Sequence, residues 1–555
     1  MRYTYKYGID FGTTNSSIAL RFMGTDNNEH TYVARLKDTK PQEVMPSVVL
    51  FDKKGRKRAG QEAKEYYLQK QYSSQELKFI KKIKLDLENE GTELKYTLGG
   101  TTVSGVDLIA SMLKTLKVKA DKEVAIRCGV PVEAISGVVM GVPVQYGDVQ
   151  KDVLKKALCK AGFYKNIEEA DKCTEFVSEP IAVAVHNGLN LSQDRTVMVF
   201  DFGGGTLDLA VVNLKHQVGK DVLHPHETKA KERMTLGGEE LTKLFFVNCF
   251  CSERKYGTTR LANAFKLKGV YSPEKLWNKL LEVPAGIRFI DRIEECKCDL
   301  STSYRSEFYF TDVNVQVKPM DFYQDDFRDA IIDKLDEIDE FIELTLENAG
   351  ISDKYDIDRV ILAGGSSMIP SVQDVLVSKF GNRKVSSKIN DDDEYIKKLK
   401  GVKVSENEVL TSIVRGLAMV GFRKEELIED VVDSDYGVWD DVENDLIVII
   451  PKGIPVKETR LNKISQEGKC EEVQCVDKNA LSLEVSVYQR VYKNGAEATQ
   501  QLGRINFQKM SGGASYRIFM EVDKKKGSLK VHIYDVNRNR WIEEIPLQQR
   551  TFNLI

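Results

Sequence analysis

At 555 residues, with 42% hydrophobic and 30% charged side chains, the chain is too apolar to be disordered and too long for one folding unit, so three or four compact units are expected. A formal charge of −3, from 81 basic and 84 acidic residues, leaves no global basic field and excludes nucleic acid or an anionic membrane as a partner held by net charge. Nine cysteines are an odd set, and Cys249 with Cys251, Cys296 with Cys298 and Cys470 with Cys475 lack the CxxC spacing of zinc sites, so free thiols in a reducing compartment are expected.

The amino terminus, "MRYTYKYGID", has no apolar stretch of signal-peptide length, and no later run approaches the ~20 apolar residues that span a bilayer. A cytoplasmic protein without membrane contact is the expectation. From Tyr5, "YKYGIDFGTTNSSIALRF" reads as strand, acidic turn and strand, and "TVMVFDFGGGTLDLAVVNL" from Thr196 repeats that form. The repeat implies two related halves.

Residues 31 to 119 mix strand-like "MPSVVLF" with lysine-rich "ELKFIKKIKLDL" and read as an inserted subdomain. The stretch around Pro143 is a strand feeding a helix, with Val153, Leu154, Ala157, Leu158 and Ala161 at helical spacing. In the second half, "GGEELTKLFFVNCFCSERKYG" and "EKLWNKLLEVPAGIRFIDRIEECKCDL" read as helices of a second insertion, about 238 to 308. A further helix keeps Ile331, Leu335, Ile338 and Phe341 on one face, and "YDIDRVILAGGSSMIPSVQDVL" is again strand, glycine turn and helix. Such alternation implies α/β layers. Near Lys424 the pattern changes: "EELIEDVVDSD" reads as a linker over 425 to 434, and period-two alternation then predicts a β-rich unit over 435 to 555. Within it, Leu481, Leu483, Val485 and Val487 alternate with polar residues, and a hairpin turning at Lys526 and Gly527 is expected.

A single Asp-x-Gly turn followed by threonine occurs in many hairpins without function. Two repeat-related turns are different. Glycines let backbone amides approach an anion, Thr13, Thr14 and Thr206 add hydroxyl donors, and Asp10 and Asp201 at strand ends could hold magnesium directly or through its waters. A third turn, "LAGGSSMIP", brings Gly364, Gly365 and Ser366 to a helix start where a nucleoside could pack. A Walker loop and the dinucleotide GxGxxG fingerprint are both missing.

"GIDFGTTNS", "VFDFGGGTLDL", "LGGEEL" and "LAGGSSMIP" resemble the phosphate and adenosine motifs of the actin and Hsp70 ATPase superfamily, with wording closest to Hsp70 chaperones. "PSVVLF", "VSEPIAVAVHNGLN" and "IVRGLA" are similar to further Hsp70 segments, so the resemblance covers nearly the whole chain. It implies a two-lobed actin/Hsp70-type α/β ATPase domain with a duplicated RNase H-like core over 1 to 424, followed by a β-sandwich. It also implies ATP/ADP and Mg2+ as cofactors. Asp10 and Asp201 become magnesium and water organisers; Gly12, Thr13, Thr14, Asn15, Gly203, Gly204, Gly205 and Thr206 phosphate contacts; and Glu179 and Asp208 the acids that position the attacking water. Gly237 and Gly238 join the nucleotide site, with Glu294, Lys297, Ser301, Gly364, Gly365 and Ser366 on the adenosine side. The family's catalytic lysine falls on Lys78, with Lys81 and Lys82 as rivals.

On the adenosine side the family's two base-stacking arginines are replaced by Cys298 and Met368, each a loss of roughly 1 kcal/mol of cation–π contact. The linker keeps Leu427, Ile428, Val431 and Val432 but is more acidic than the family's. Leu481 and Leu483 resemble pocket residues of the peptide-binding strand, although alternating leucines also simply fill sheet cores. No helical lid is expected after the sandwich, so a client should exchange quickly. The resemblance thus implies a nucleotide-controlled chaperone, a monomer, that binds a polypeptide client or a dedicated protein partner, with J-domain and nucleotide-exchange partners. A nucleotide-gated scaffold with little hydrolysis and an actin-like filament protein are the alternatives.

Overall fold

The computed structural model describes residues 4–37, 42–69, 76–143, 146, 148–188, 191, 193–216, 226–387, 405–422, 428–432, 434–440, 444–463, 465–474, 482–493, 496–508, 513–523, 528–542 and 551–553. Two mixed sheets organise everything up to Phe422. In the first, Thr174–Ser178, Ile135–Val142 and Tyr5–Phe11 run parallel, and Asn15–Met23 and then Glu29–Val33 continue antiparallel. The second repeats the scheme. Val385–Ser386, Arg359–Ala363 and Arg195–Phe202 are parallel, and Leu207–Leu214 and His226–Met234 continue antiparallel. Each half opens with an apolar strand that turns through glycine and threonine into its antiparallel partner, which is the repeat seen in the sequence.

Between the sheets lie the helices Glu179–Gly188 and Glu406–Phe422, whose Ile181, Ala182, Ala184, Ile413 and Leu417 share an apolar cluster with Val197, Val199, Ala210 and Ile361. Close approach is what the small residues provide. A Cβ at Gly416 would stand 1.8 Å from the Ala182 carbonyl oxygen, so the two helices can touch only there with glycine.

The first insertion is narrower than 31 to 119, because Glu29–Val33 and Met45–Pro46 both hydrogen-bond to Asn15–Met23 and belong to the main sheet. What projects from the lobe is the three-stranded sheet of Val49–Asp52, Lys57–Ala59 and Leu77–Ile80, with the helices Gly60–Gln69 and Ile83–Glu90 and the hairpin Lys95–Leu98 and Thr101–Ser104. The second insertion is longer than expected. It continues past residue 308 through the hairpin Arg305–Asp312 and Val315–Tyr323, packed on the helix Pro284–Leu300 around Phe250, Phe289, Phe308 and Phe322.

Beyond Phe422 two antiparallel sheets share one apolar cluster. Asp445–Ile450, Asp435–Asp440, Ser482–Lys493 and Ala496–Gln508 form one, and Lys469–Gln474, Ser515–Asp523, Ser528–Asp535 and Arg540–Trp541 the other, with Thr551–Asn553 added to Ser528–Asp535. Val438, Ile449, Val485 and Val487 meet Tyr516, Ile518, Val531 and Ile533 between them. Among the described residues this part holds no α-helix. Lys526, Gly527, Leu427 and Leu481 lie outside the described residues, and Leu483 is described only by its backbone pairing with Phe507.

The segment read as a linker is not a free connection. Ile428–Glu429 pairs in parallel with His226 and Glu227 at the edge of the second sheet, and Val432 donates its N–H to the Ile454 carbonyl. Asp430 pairs with Lys231 and Lys452 with Glu232, tying the carboxyl-terminal sheets to the strand His226–Met234.

Candidate nucleotide site

Two hairpin turns face each other at the mouth between the lobes. The register sets Asp10 opposite Ser17 and Asp201 opposite Asp208, so each strand carries a carboxylate one residue before its end at Phe11 or Phe202. Contact is direct. A Cβ at Gly204 would stand 1.8 Å from Thr14 Oγ1, and one at Gly205 would stand 2.8 Å from Thr13 Oγ1. The second turn is closed by the Gly203 N–H donating to the Thr206 carbonyl at 2.9 Å, and Thr206 Oγ1 donates to Asp208 Oδ2 at 2.7 Å. Gly12, Asn15, Gly203 and Gly204 stay partly open to solvent and Thr14 is exposed, as an anion-contacting surface requires.

Behind the turns four carboxylates are buried together: Asp10, Glu179, Asp201 and Asp208. Burial, then the neighbouring Glu179, raises Asp10 to about 7, and burial with the same neighbours lifts Asp201 well above the carboxylate range. Asp208 is raised by burial too, against the opposing pull of Arg233. Among the described residues the lysine that enters this cluster is Lys84, whose Nζ donates to Glu179 Oε1 at 2.6 Å. Burial alone would discharge Lys84, but Glu179, Asp10 and Asp208 outweigh it and hold the ammonium.

None of the three lysines singled out from the sequence enters this cluster. Lys78 is an exposed residue of the strand Leu77–Ile80, paired with Phe51. Lys81 pairs with Asp291 and Lys82 with Glu239 at 2.8 Å, so both bridge the lobes outside the acidic cluster. Lys78 stays exposed on its strand, whereas Lys84 reaches the acidic cluster because it lies on the first helical turn beside Ile83, on the buried face with Leu87. That burial is the signal a lysine on an apolar stripe offers, and spacing from the turn motifs did not carry it.

On the far side, Gly237 and Gly238 pack against the second turn, with the Gly238 N–H donating to the Gly203 carbonyl at 3.0 Å. Lys297 Nζ donates to the Gly238 carbonyl at 2.8 Å and pairs with Glu294 at 2.9 Å, while Ser301 sits one turn further along the same helix. Ser366 Oγ donates to the Gly203 carbonyl at 2.9 Å, which joins the third glycine turn to the second. Gly364 takes φ +73° directly over Phe202, and Gly365 is exposed beside it. Cys298 is exposed with Sγ 3.8 Å from Glu294 Oε1, and Met368 is half-buried against the core of the second lobe. The residues assigned to an adenosine side from the sequence thus lie together around Gly203 and Gly238.

The residues also fit a divalent cation that shares its coordination with phosphate. Among the described residues four buried acids face one lysine and one arginine, so Asp10, Asp201 and Asp208 are pushed toward protonation and a divalent cation would favour their ionised forms, yet no three acidic, histidine or cysteine side chains converge to hold a metal unaided. Asp10 and Asp201 would hold it, and it would offset phosphate charge.

The Hsp70 protein family matches residues 6–398. The chain belongs to the Hsp70 family. That membership carries the two-lobed actin/Hsp70 ATPase fold and a nucleotide-binding, chaperone-type function. Members of the Hsp70 family bind ATP or ADP with Mg2+ and act on polypeptide clients with co-chaperones. No helix among the described residues is long and apolar enough to cross a membrane.

Proposed function

We propose that this Hsp70 protein hydrolyses ATP and that its nucleotide state controls how the carboxyl-terminal sheets, a β-sandwich of the substrate-binding kind, hold a polypeptide or protein partner. The observation that carries the reading is Lys84 seated on Glu179, Asp10 and Asp208 directly behind two facing glycine and threonine turns. Thr13, Thr14, Thr206 and the turn amides bind the phosphates; Glu179 and Asp208 orient water; Lys84 neutralises charge that develops on the transferring phosphoryl group. Magnesium supplies charge neutralisation at the phosphates when bound. The edge pairing of Ile428–Glu429 supports communication between the site and the carboxyl-terminal sheets, because it joins them to the strand that pairs with Leu207–Leu214.

Single-turnover hydrolysis tests this. Lys84→Ala and Thr206→Ala should each slow the reaction by roughly 10²- to 10³-fold, as loss of one preorganised charge-stabilising donor does, whereas Lys78→Ala should leave it unchanged. A wild-type protein that binds ATP without turning it over would sink the hydrolytic reading. The scaffold reading would then stand, favoured by Cys298 and Met368 on the base side.

A further inference from the structure

Arg233 has a set of contacts that the nucleotide-binding motifs do not account for. It is 6% exposed, on the strand His226–Met234, and lies in a run of three buried charges with Lys231 and Glu232. Its Nη2 donates to Glu88 Oε2 in the opposite half of the molecule, and its Nε lies 3.9 Å from Asp208 Oδ1. Among the described residues its Nε and Nη1 have no hydrogen-bond acceptor although both are buried. Leaving such donors unpaired costs about 1–3 kcal/mol apiece, a cost a purely structural arginine has no reason to carry.

Glu88 is the informative partner. It stands four residues after Lys84 on the helix Ile83–Glu90, so the two side chains share a face one turn apart. Lys84 reaches Glu179 in the acidic cluster while Glu88 reaches across the cleft to Arg233. Among the described residues, ion pairs connect this segment to the second lobe at three places: Lys81 with Asp291, Lys82 with Glu239 and Glu88 with Arg233. The third is the most enclosed, with side chains 17% and 3% exposed, and its arginine also has an acidic-cluster residue beside it, Asp208 Oδ1 at 3.9 Å from Nε.

The structure assigns Arg233 a positioning role in ATP hydrolysis: it clamps the helix Ile83–Glu90 through Glu88, and so sets Lys84, while its charge, with Nε 3.9 Å from Asp208 Oδ1 and no hydrogen bond between them, steadies that carboxylate beside Thr206. This role rests on the hydrolytic reading. A planar guanidinium can serve both carboxylates from one plane, which a lysine's point charge does less well. The fixed chain runs from Glu88 through Arg233 and Asp208 to Thr206, linking the helix that carries the lysine to the turn that holds phosphate.

The full chain carrying Arg233→Met, Glu88→Gln, both, or Arg233→Lys distinguishes the outcomes. Single-turnover hydrolysis at saturating ATP should fall roughly 10²-fold in Arg233→Met, the scale of a small misplacement of reacting groups, with ATP affinity within about threefold of wild type. The double variant should be no slower than the slower single, because the pair acts as one unit, and Arg233→Lys should recover part of the rate. Hydrogen exchange over 83–90 should quicken in Arg233→Met and in Glu88→Gln. Glu88→Gln keeps the assignment testable if Arg233→Met unfolds. Unchanged turnover, loss confined to ATP affinity, or fully additive effects would overturn the assignment. If the wild type itself does not hydrolyse ATP, the hydrolytic reading fails, and exchange over 83–90 decides the clamp alone: faster exchange upholds it and equal exchange removes it.

Discussion

His226 sits where the second sheet receives the strand Ile428–Glu429, and it is 1% exposed. Its Nδ1 accepts the Lys215 N–H at 3.0 Å, so the ring is held neutral, and burial depresses its pKa to about 4. An unfolded histidine titrates near 6.5, so between about pH 6.5 and 4 the unfolded chain takes up a proton that the folded one refuses. Stability from this group is therefore complete above pH 6.5 and lost on acidification, by about 3 kcal/mol at pH 4. Urea unfolding at pH 7 and pH 4 checks this: wild type should lose that much more than His226→Asn, and parallel losses would reject it. The lysine that reaches the acidic cluster, Lys84, was not singled out from the sequence. In "FIKKIKLDL" the lysines compete, and which one faces the cleft depends on where the strand ends at Ile80 and the helix begins at Ile83, a boundary no local pattern fixes. The carboxylates were easier. Asp10 and Asp201 are pinned by repeat-related turns, and Glu179 by the helix it starts.

At the scale of elements, what was legible is what local chemistry specifies. The two glycine and threonine hairpins, the helices with apolar stripes and the alternating strand carrying Val485 and Val487 all stand in the structure. What escaped is long-range. The two-residue strand Ile428–Glu429 exists only because an edge is free at His226 and Glu227, and an acidic, aliphatic stretch carries no trace of that partner. The hairpin Arg305–Asp312 and Val315–Tyr323 was likewise cut short, since its second strand is recognised by what it packs on rather than by its own pattern. That packing is aromatic. Phe250 is fully buried, stacked 4.2 Å from Phe322 and edge-on to Phe245 and Phe308 at 5.1 and 4.8 Å. Phe250→Ala should cost about 3–5 kcal/mol through lost transfer and the cavity left behind. The expected reading is an earlier urea transition of the second lobe, and a midpoint equal to wild type would contradict the packing described.

For the molecule as a whole, the strand His226–Met234 is shared property. Its backbone receives Ile428–Glu429, Lys231 holds Asp430, Glu232 holds Lys452 and Arg233 turns to the acidic cluster, so nucleotide site and carboxyl-terminal sheets meet along nine residues. The Glu232 carboxylate, 7% exposed on its side chain, accepts Lys452 at 2.7 and 3.0 Å and also Asn348 at 2.8 Å. Reversing Lys452 to glutamate would set two carboxylates against each other in a half-buried contact, and removing one partner of a buried pair costs about 3–5 kcal/mol at the upper end. The docked arrangement should then open: small-angle scattering of Lys452→Glu should give a larger radius of gyration than wild type, with faster hydrogen exchange over 428–432. Restoring opposite charges with Glu232→Lys in the same chain should bring both back toward wild type, because the interaction is between these two charges rather than either alone. If the single reversal leaves scattering and exchange where they were, this pair does not hold the carboxyl-terminal sheets on the ATPase lobes, and the edge pairing of Ile428–Glu429 with the Lys231–Asp430 pair carries the connection.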